Sequence, residues 1–151
     1  MSVPTPEACR AASRLGRTVN SALDDVELSP AGYRVLGYLA TGESAATVLA
    51  AKLAVSRPSV TAAVDSLEKQ GFVTRLPDSS DGRRMKIAMT PRGRQALEAA
   101  DALVADRLGL VVESLSASQA RAVFDSLQLL HDALNTYRAR RYEAGTKAGP
   151  V

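Results

Sequence analysis

The stretch SRPSVTAAVDSLEKQGFVTRLPDSSDGRRMKIAMT, from Ser56 to Thr90, decides the fold of this chain. Its first half places Val60, Val64 and Leu67 at the spacing of one helical face, which predicts a helix with one packed side. Its second half changes to alternating apolar residues around a turn-rich loop, which predicts a two-stranded hairpin. A helix with a free polar face, followed by a basic hairpin, is typical of small proteins that read DNA.

Residues with special backbone preferences mark the boundaries within this stretch. Ser56 can cap the helix, and Pro58 follows in its first turn. Gly71 ends it, because glycine adopts the left-handed conformation at little steric cost. Residues 72–76 and 85–89 are then predicted as strands, joined by the loop PDSSDGRR.

Positive charge is concentrated in the same region. Residues 56–94 contain eight basic and four acidic side chains, whereas the remainder contains 11 basic and 12 acidic ones. The net charge of the whole chain is only +3, so the distribution is more informative than the total. A local basic surface is expected where a protein contacts phosphates.

Outside this stretch the sequence predicts five further helices. Ser29 and Thr90, each followed by proline, have the signal of a helix cap and open two of them. A serine cap at Ser116 or Ser118 precedes the last helix. The predicted helices cover about residues 6–25, 30–42, 45–54, 91–113 and 116–142.

This order of elements predicts a mainly α fold with a small β-hairpin wing. The arrangement is a winged helix-turn-helix flanked by N- and C-terminal dimerisation helices. We therefore divide the chain into an N-terminal helix contributing to dimerisation, a winged helix-turn-helix DNA-binding domain, long linking and dimerising helices, and a flexible tail. The corresponding ranges are 1–28, 29–90, 91–144 and 145–151.

The amino-acid composition narrows the class of protein to which this chain can belong. A chain of 151 residues with 46% hydrophobic and 23% charged residues is typical of one soluble domain. The sequence has neither a long apolar span nor the pattern of a secretory signal, so we expect a cytoplasmic protein. Cys9 and His131 are the only residues of their types, and we expect no metal site and no cofactor. Without a phosphate-binding glycine loop or a paired cysteine and histidine, an enzyme is not expected.

With these motifs, the chain resembles the MarR family, the multiple-antibiotic-resistance regulators, over roughly residues 15–142. The run SRPSVTAAVDSLEKQGFVTR is similar to the recognition helix and first wing strand of that family. Asp81-Gly82-Arg83 and the following KIAMT resemble its wing signature, although Met89 replaces the usual leucine. The opening of the next helix matches as well, at Thr90, Gly93 and Leu97. Ala54 departs from the pattern, because related proteins commonly have glycine in that turn.

The resemblance implies a transcriptional regulator, most often a repressor, that binds DNA and releases it when a small molecule binds. Such a molecule would bind between the DNA-binding domain of residues 29–90, called the reading head below, and the dimer helices. Two alternatives stay open: a redox-sensing regulator that acts through Cys9, and a winged-helix module that binds protein. In the redox alternative, a helix N-terminus and nearby Arg10 would activate the thiol, whereas a lone cysteine in an alanine-rich helix is usually a small apolar residue.

The helix beginning at Ser56 is expected to enter the major groove with its N-terminal half. Its small and hydroxyl side chains favour this role over that of a solvated face, which would be rich in Glu and Lys. Asp65 can accept from a cytosine amino group or pair with a basic residue of the protein. The candidate contacts on this helix are Ser56, Arg57, Pro58, Ser59, Thr61, Ala62, Asp65, Ser66 and Lys69.

The hairpin is expected to reach the minor groove through Arg83, since narrow A·T-rich grooves attract guanidinium groups. Arg75, Arg84 and Lys86 are assigned to phosphates. Asp81 would be repelled by phosphate, so its role is to hold an arginine of the wing, as the resemblance implies. A charged loop in water is the alternative.

The last predicted helix carries Val123, Leu127, Leu130 and Leu134 at steps of four and three. They can form internal core or a dimer seam, and we favour the seam because the small reading head cannot bury two long helices. A two-fold dimer needs a palindromic site with half-sites about one helical turn apart. The single histidine of this helix, His131, is expected at a packing or polar interface.

Overall fold

Six helices and a three-stranded sheet make up the part of the chain that the computed structural model describes, residues 3–147. The fold class predicted from the sequence, mainly α with a small β wing, is confirmed. None of the helices in this range is long and apolar enough to cross a membrane. In chain order the elements are α1 (Pro6–Ala22), α2 (Pro30–Leu39), β1 (Ser44–Ala45), α3 (Ala46–Leu53), α4 (Arg57–Lys69), β2 (Val73–Pro77), β3 (Met85–Met89), α5 (Pro91–Val111) and α6 (Ala117–Lys147).

Hydroxyl caps followed by proline begin α1, α2, α4 and α5. The cap residues are Thr5, Ser29, Ser56 and Thr90, and each side chain accepts a hydrogen bond from a backbone N–H three residues later. A cap of this kind stabilises a helix by about 1 kcal/mol. For α6 the cap is Ser116, whose hydroxyl and backbone N–H exchange hydrogen bonds with Gln119. Capping of this helix is therefore reciprocal.

The helix-turn-helix packs around one apolar core. Val60, Val64 and Leu67 each expose only 1% of their surface, so the packed face predicted for α4 is confirmed. They lie in the same buried cluster as Leu36 of α2 and Leu49 of α3. This packing fixes the orientation of α4 and leaves its polar face outward.

The wing is the β2–β3 hairpin, with a third strand on its far side. Strands β2 and β3 pair from Val73 opposite Met89 to Pro77 opposite Met85. Strand β1 was not predicted, and it pairs with β3 through Ser44 opposite Ile87. The sheet order is therefore β1-β3-β2, which attaches the wing to the segment that precedes α3.

The terminal helices extend from this head. Helix α1 packs against α5, where Arg107 donates to the Ser21 hydroxyl at 3.1 Å. Helix α6 returns along α3 and continues to Lys147, into the range predicted as a tail. Residues 148–151 of that predicted tail lie outside the described residues.

Candidate nucleic-acid interface

Helix α4 presents an uncovered face of short side chains. Ser59, Thr61, Ala62 and Ser66 are all exposed, on the sides of the helix that do not contribute to the core. Short side chains let a helix backbone approach a groove closely, and hydroxyl groups can donate to or accept from base edges. Exposed Arg57, Pro58 and Lys69 lie at the two ends of the same helix.

Ser56 differs from these residues because its hydroxyl already has partners. It accepts from the Ser59 backbone N–H at 3.3 Å and lies 2.8 Å from the Ser59 hydroxyl. Its assignment to DNA stays a prediction, and its observed role is to cap α4.

The wing tip is organised around Asp81. Its carboxylate accepts from the Arg83 backbone N–H at 3.1 Å and lies 3.5 Å from the Arg84 Nε. The tip is also closed by backbone bonds from Asp78 N–H to the Arg84 carbonyl and from Arg84 N–H to the Asp81 carbonyl. Among the described residues no carboxylate pairs with the Arg83 guanidinium, so this exposed cation is available to a partner.

Arg75, in strand β2 of the wing, pairs with two carboxylates of α4. One of its terminal nitrogens lies 2.5 Å from the Asp65 carboxylate, and the other pairs with Glu68. The hydrogen bond to Asp65 is the main reason that the pKa of Arg75 is raised. Of the two partners considered for Asp65, the structure therefore places a basic residue of the protein beside it.

Lys86 occupies a similar position on β3. Its ammonium lies 3.1 Å from a Glu43 oxygen and 3.6 Å from Asp78. The hydrogen bond to Glu43 is the largest cause of the raised pKa of Lys86. Ser80 donates to Asp78 through its backbone N–H and its hydroxyl, which lowers the pKa of that carboxyl.

Three of the carboxylates that pair with the wing cations were not predicted from the sequence: Glu43, Glu68 and Asp78. A signal existed for Glu68, because it lies three residues after Asp65 and so shares a helix face with it. No comparable signal marked Glu43, which is brought to Lys86 by the pairing of β1 with β3.

A cavity of about 600 Å³ lies between α2, α3, α5 and α6. Cations line it at Arg34, Lys52 and Arg138, and the Tyr33 hydroxyl donates to Asp101 at 2.6 Å across it. Burial is the largest cause of the raised pKa of Tyr33, followed by this hydrogen bond. The sequence left these residues unassigned because they come from separate helices. Among the described side chains, those of residues 3–140, no group of three or more His, Cys, Asp or Glu is arranged to hold a metal ion.

Residues 27–84 of the chain, which contain the helix-turn-helix and most of the wing, match the family model described as MarR family. They form a MarR-family domain. The resemblance identified from the sequence is thereby confirmed. The HTH-type transcriptional regulator FarR of Neisseria gonorrhoeae is 33% identical over 91 residues, which are 58% of this chain. The match spans 62% of that protein's length.

Solved structures support the same fold around the MarR-family domain. MarR of E. coli in its apo form superposes with a TM-score of 0.75 at 22% identity, covering 86% of this chain and 98% of that one. CouR of Rhodococcus jostii RHA1, bound to p-coumaroyl-CoA, gives a TM-score of 0.64 at 28% identity, covering 81% and 87%. The likeness to the E. coli protein concerns the fold alone.

Beyond the MarR-family domain, α6 carries the residues predicted as a dimer seam. Val123, Leu130 and Leu134 are 38%, 48% and 40% exposed, and Leu127 is half-buried. Exposed Phe124 is a further apolar residue of α6, and it was not predicted from the sequence. The seam stays a prediction, and these exposures show that the other described elements leave the residues partly uncovered.

The two remaining candidates, Cys9 and His131, lie outside residues 27–84 in the sequence. Cys9 is exposed on the first turn of α1. His131 lies on the wall of the cavity, where its ring nitrogen is 3.0 Å from the Asn135 side-chain amide of the same helix. Redox sensing through Cys9 stays an untested alternative.

Proposed function

We propose that this chain is a sequence-specific DNA-binding transcriptional regulator, a homodimeric repressor that a small-molecule effector releases from a palindromic operator. The observation that carries the proposal is the uncovered face of α4, followed by the exposed Arg83 of the wing, within a MarR-family domain. The FarR relative is named as a transcriptional regulator, which supports the same class of function.

The two parts of the interface have different tasks in this proposal. The first turns of α4 enter the major groove, where Arg57, Ser59 and Thr61 reach base edges. Arg83 enters the minor groove, whose narrow A·T-rich form concentrates negative potential. Lys69 and Arg84 contact phosphates, which position the protein without reading sequence.

The homodimer is supported by the apolar residues that α6 leaves exposed. An uncovered row of Val123, Leu130 and Leu134 is costly in water unless a second surface covers it. A second copy of the chain supplies the same row in a two-fold arrangement. Two reading heads then require a site with two related halves.

Control by an effector is supported by the cavity behind the reading head. Arg34, Lys52 and Arg138 give its lining three positive charges beside the carboxylate of Asp101, and Tyr38 and Leu53 add apolar surface. This lining suits an anion with an aromatic or acyl body. The p-coumaroyl-CoA bound by CouR belongs to that protein, and it indicates anionic acyl thioesters of this type as the first compounds to test. An effector that prefers a spacing of the two heads that misfits the operator would shift the population away from DNA.

The test is binding to a duplex that the wild-type protein selects from a random-sequence library, measured by fluorescence anisotropy over a range of salt concentrations. We expect affinity to fall steeply with salt, and Arg83→Ala to weaken binding by about tenfold or more. Arg121→Ala removes an exposed cation from α6 and serves as the control of equal charge.

An unchanged affinity for Arg83→Ala would show that the wing does not contact DNA as proposed. Failure to retain any duplex at low salt would contradict DNA binding itself and favour the protein-binding alternative.

A further inference from the structure

Two cations lie on adjacent rungs of the β2–β3 ladder. These two rungs, residues 75–76 and 86–87, are called the stem of the wing. In the β2–β3 ladder, Arg75 is opposite Ile87 and Lys86 is opposite Leu76. Arg75 is bound from one side by Asp65 and Glu68 of α4. Lys86 is bound by Glu43, which precedes β1, and by Asp78 of the wing loop. The hairpin is therefore held to two separate parts of the reading head.

We propose that Arg75 and Lys86 are positioning residues that fix the angle of the wing, and that neither contacts DNA. The inference rests on the DNA-binding function proposed above and divides the wing into two regions. Its stem is set by ion pairs within the protein, and its tip, with Arg83 and Arg84, meets the DNA.

Local charge argues against phosphate contact at the stem. Two cations there face four carboxylates, so the cluster as a whole is negative. Both terminal nitrogens of Arg75 are engaged, and only 31% of its side chain is exposed. The Lys86 side chain is 29% exposed, and its ammonium is shared between two carboxylates. A phosphate approaching either cation would have to displace a carboxylate that already neutralises it.

Because the tip lies some distance from the stem, a small rotation of the stem displaces the tip by a larger distance. Arg83 lies three residues beyond Lys86, which is roughly 10 Å along an extended chain. A rotation of about 10° at the stem would then move the tip by roughly 2 Å, more than a hydrogen bond tolerates. Loss of an ion pair at the stem would therefore displace Arg83 enough to weaken its contact with the minor groove.

The test compares stem and tip variants on the selected duplex over a range of salt concentrations. We expect Arg75→Gln to weaken binding about tenfold while the slope of log affinity against log salt stays unchanged, since no phosphate contact is lost. Arg84→Gln should instead reduce that slope by about one. Arg75→Lys should stay severalfold weaker than wild type, because lysine cannot bond both carboxylates through a planar fork.

Asp65→Asn separates two roles of the carboxylate, because repulsion of DNA and positioning of the wing predict opposite changes in affinity. If the carboxylate served only to repel DNA, its removal would strengthen binding, whereas a positioning role predicts weaker binding of similar size to Arg75→Gln. The double variant Arg75→Gln, Asp65→Asn should then be no weaker than either single variant. A slope reduced by one in Arg75→Gln, or tighter binding by Asp65→Asn, would overturn the inference.

A measurement without DNA separates this inference from the proposed function. Hydrogen exchange of the β2 and β3 amides should become several times faster in Arg75→Gln and in Glu43→Gln, while amides of α2 keep their wild-type rates. Arg121→Gln should leave all these rates unchanged. If the wild-type protein binds no duplex, the proposed function fails, and the exchange rates still decide whether these pairs hold the wing. Unchanged exchange at β2 and β3 would contradict the inference even if DNA binding is found.

Discussion

Ala54 ends α3 in a conformation that suits glycine. Its φ of 55° and ψ of 42° lie in the left-handed region, where a Cβ atom is strained. We expect Ala54→Gly to raise the free energy of unfolding by about 0.5–1 kcal/mol, after the greater freedom of glycine in the unfolded chain is subtracted. Urea unfolding measures the change.

Ala62→Gly is the matched control for that variant, because Ala62 is exposed in the interior of α4. There glycine should lower the free energy of unfolding by roughly 0.5–1 kcal/mol. A loss of stability in both variants would mean that the turn after α3 does not have the left-handed geometry in solution.

Gly93 is required by a close approach of α5 to Phe72, the residue before β2. A Cβ atom at this position would lie 2.0 Å from the Phe72 carbonyl oxygen, a backbone atom that cannot turn aside. We expect Gly93→Ala to lower the free energy of unfolding by about 2 kcal/mol or more. Thermal and urea unfolding both report this loss.

Gly109→Ala provides the comparison on the same helix. A Cβ atom there would have nothing within 4 Å, so alanine should stabilise the chain by about 0.5–1 kcal/mol. Equal effects at the two glycines would contradict the packing of α5 against Phe72.

At the scale of elements, the sequence predicts best where local chemistry is sufficient. The starts of α2, α4 and α5 were predicted from a hydroxyl residue one or two positions before a proline, and the buried face of α4 from its periodicity. Strand β1 has two residues and no pattern of its own, and it forms because β3 offers a partner.

The residues of the candidate interface also differ in whether local sequence is sufficient to predict their roles. Polar residues on α4 could be proposed from the sequence, because periodicity identifies the faces of a helix. The engagement of Lys86 could not, since Glu43 is 43 residues away and its approach depends on the sheet. Charge alone marked Arg75 and Lys86 as phosphate contacts, whereas their neighbours in space indicate the positioning role proposed above.

The link between α2 and α5 gives a further expectation at this scale. Tyr33 of α2 donates to Asp101 of α5, and both lie on the wall of the cavity. We expect Tyr33→Phe to lower the free energy of unfolding by about 1 kcal/mol, because one hydrogen bond is lost. Tyr38→Phe serves as the comparison, because Tyr38 lines the same cavity from the same helix. A matched loss at both tyrosines would show that the bond to Asp101 has no particular contribution.

The same bond gives a pH dependence with a definite sign. Burial and Asp101 raise the pKa of Tyr33 above its ordinary value of 10.0. The stability that this shift contributes is complete below pH 10.0 and is lost as the pH rises through the higher value of the folded state. We expect wild-type and Tyr33→Phe stabilities to converge in this alkaline range. Urea unfolding of the two proteins at a series of pH values measures the difference.

At the scale of the whole molecule, the reading head has a buried core of its own, whereas none of the α6 side chains between residues 117 and 140 is buried. Leu36, Leu49 and Leu67 are fully buried in the head, while Leu130 and Leu134 on α6 are 48% and 40% exposed. This contrast is expected if the head folds within one chain and α6 is completed by a second chain. The oligomeric state then determines how many reading heads meet the DNA.

Leu130→Glu tests that expectation, because a carboxylate in an apolar seam is left without a partner. We expect wild-type protein to sediment as a dimer and Leu130→Glu to sediment as a monomer or a much weaker dimer. The variant should also lose most of its affinity for a two-half site while keeping weak binding to a single half-site, since each head is intact. Gln128→Glu adds the same charge to another side of α6 and should remain dimeric. A wild-type monomer that binds a two-half site no more tightly than one half would show that α6 does not pair the heads.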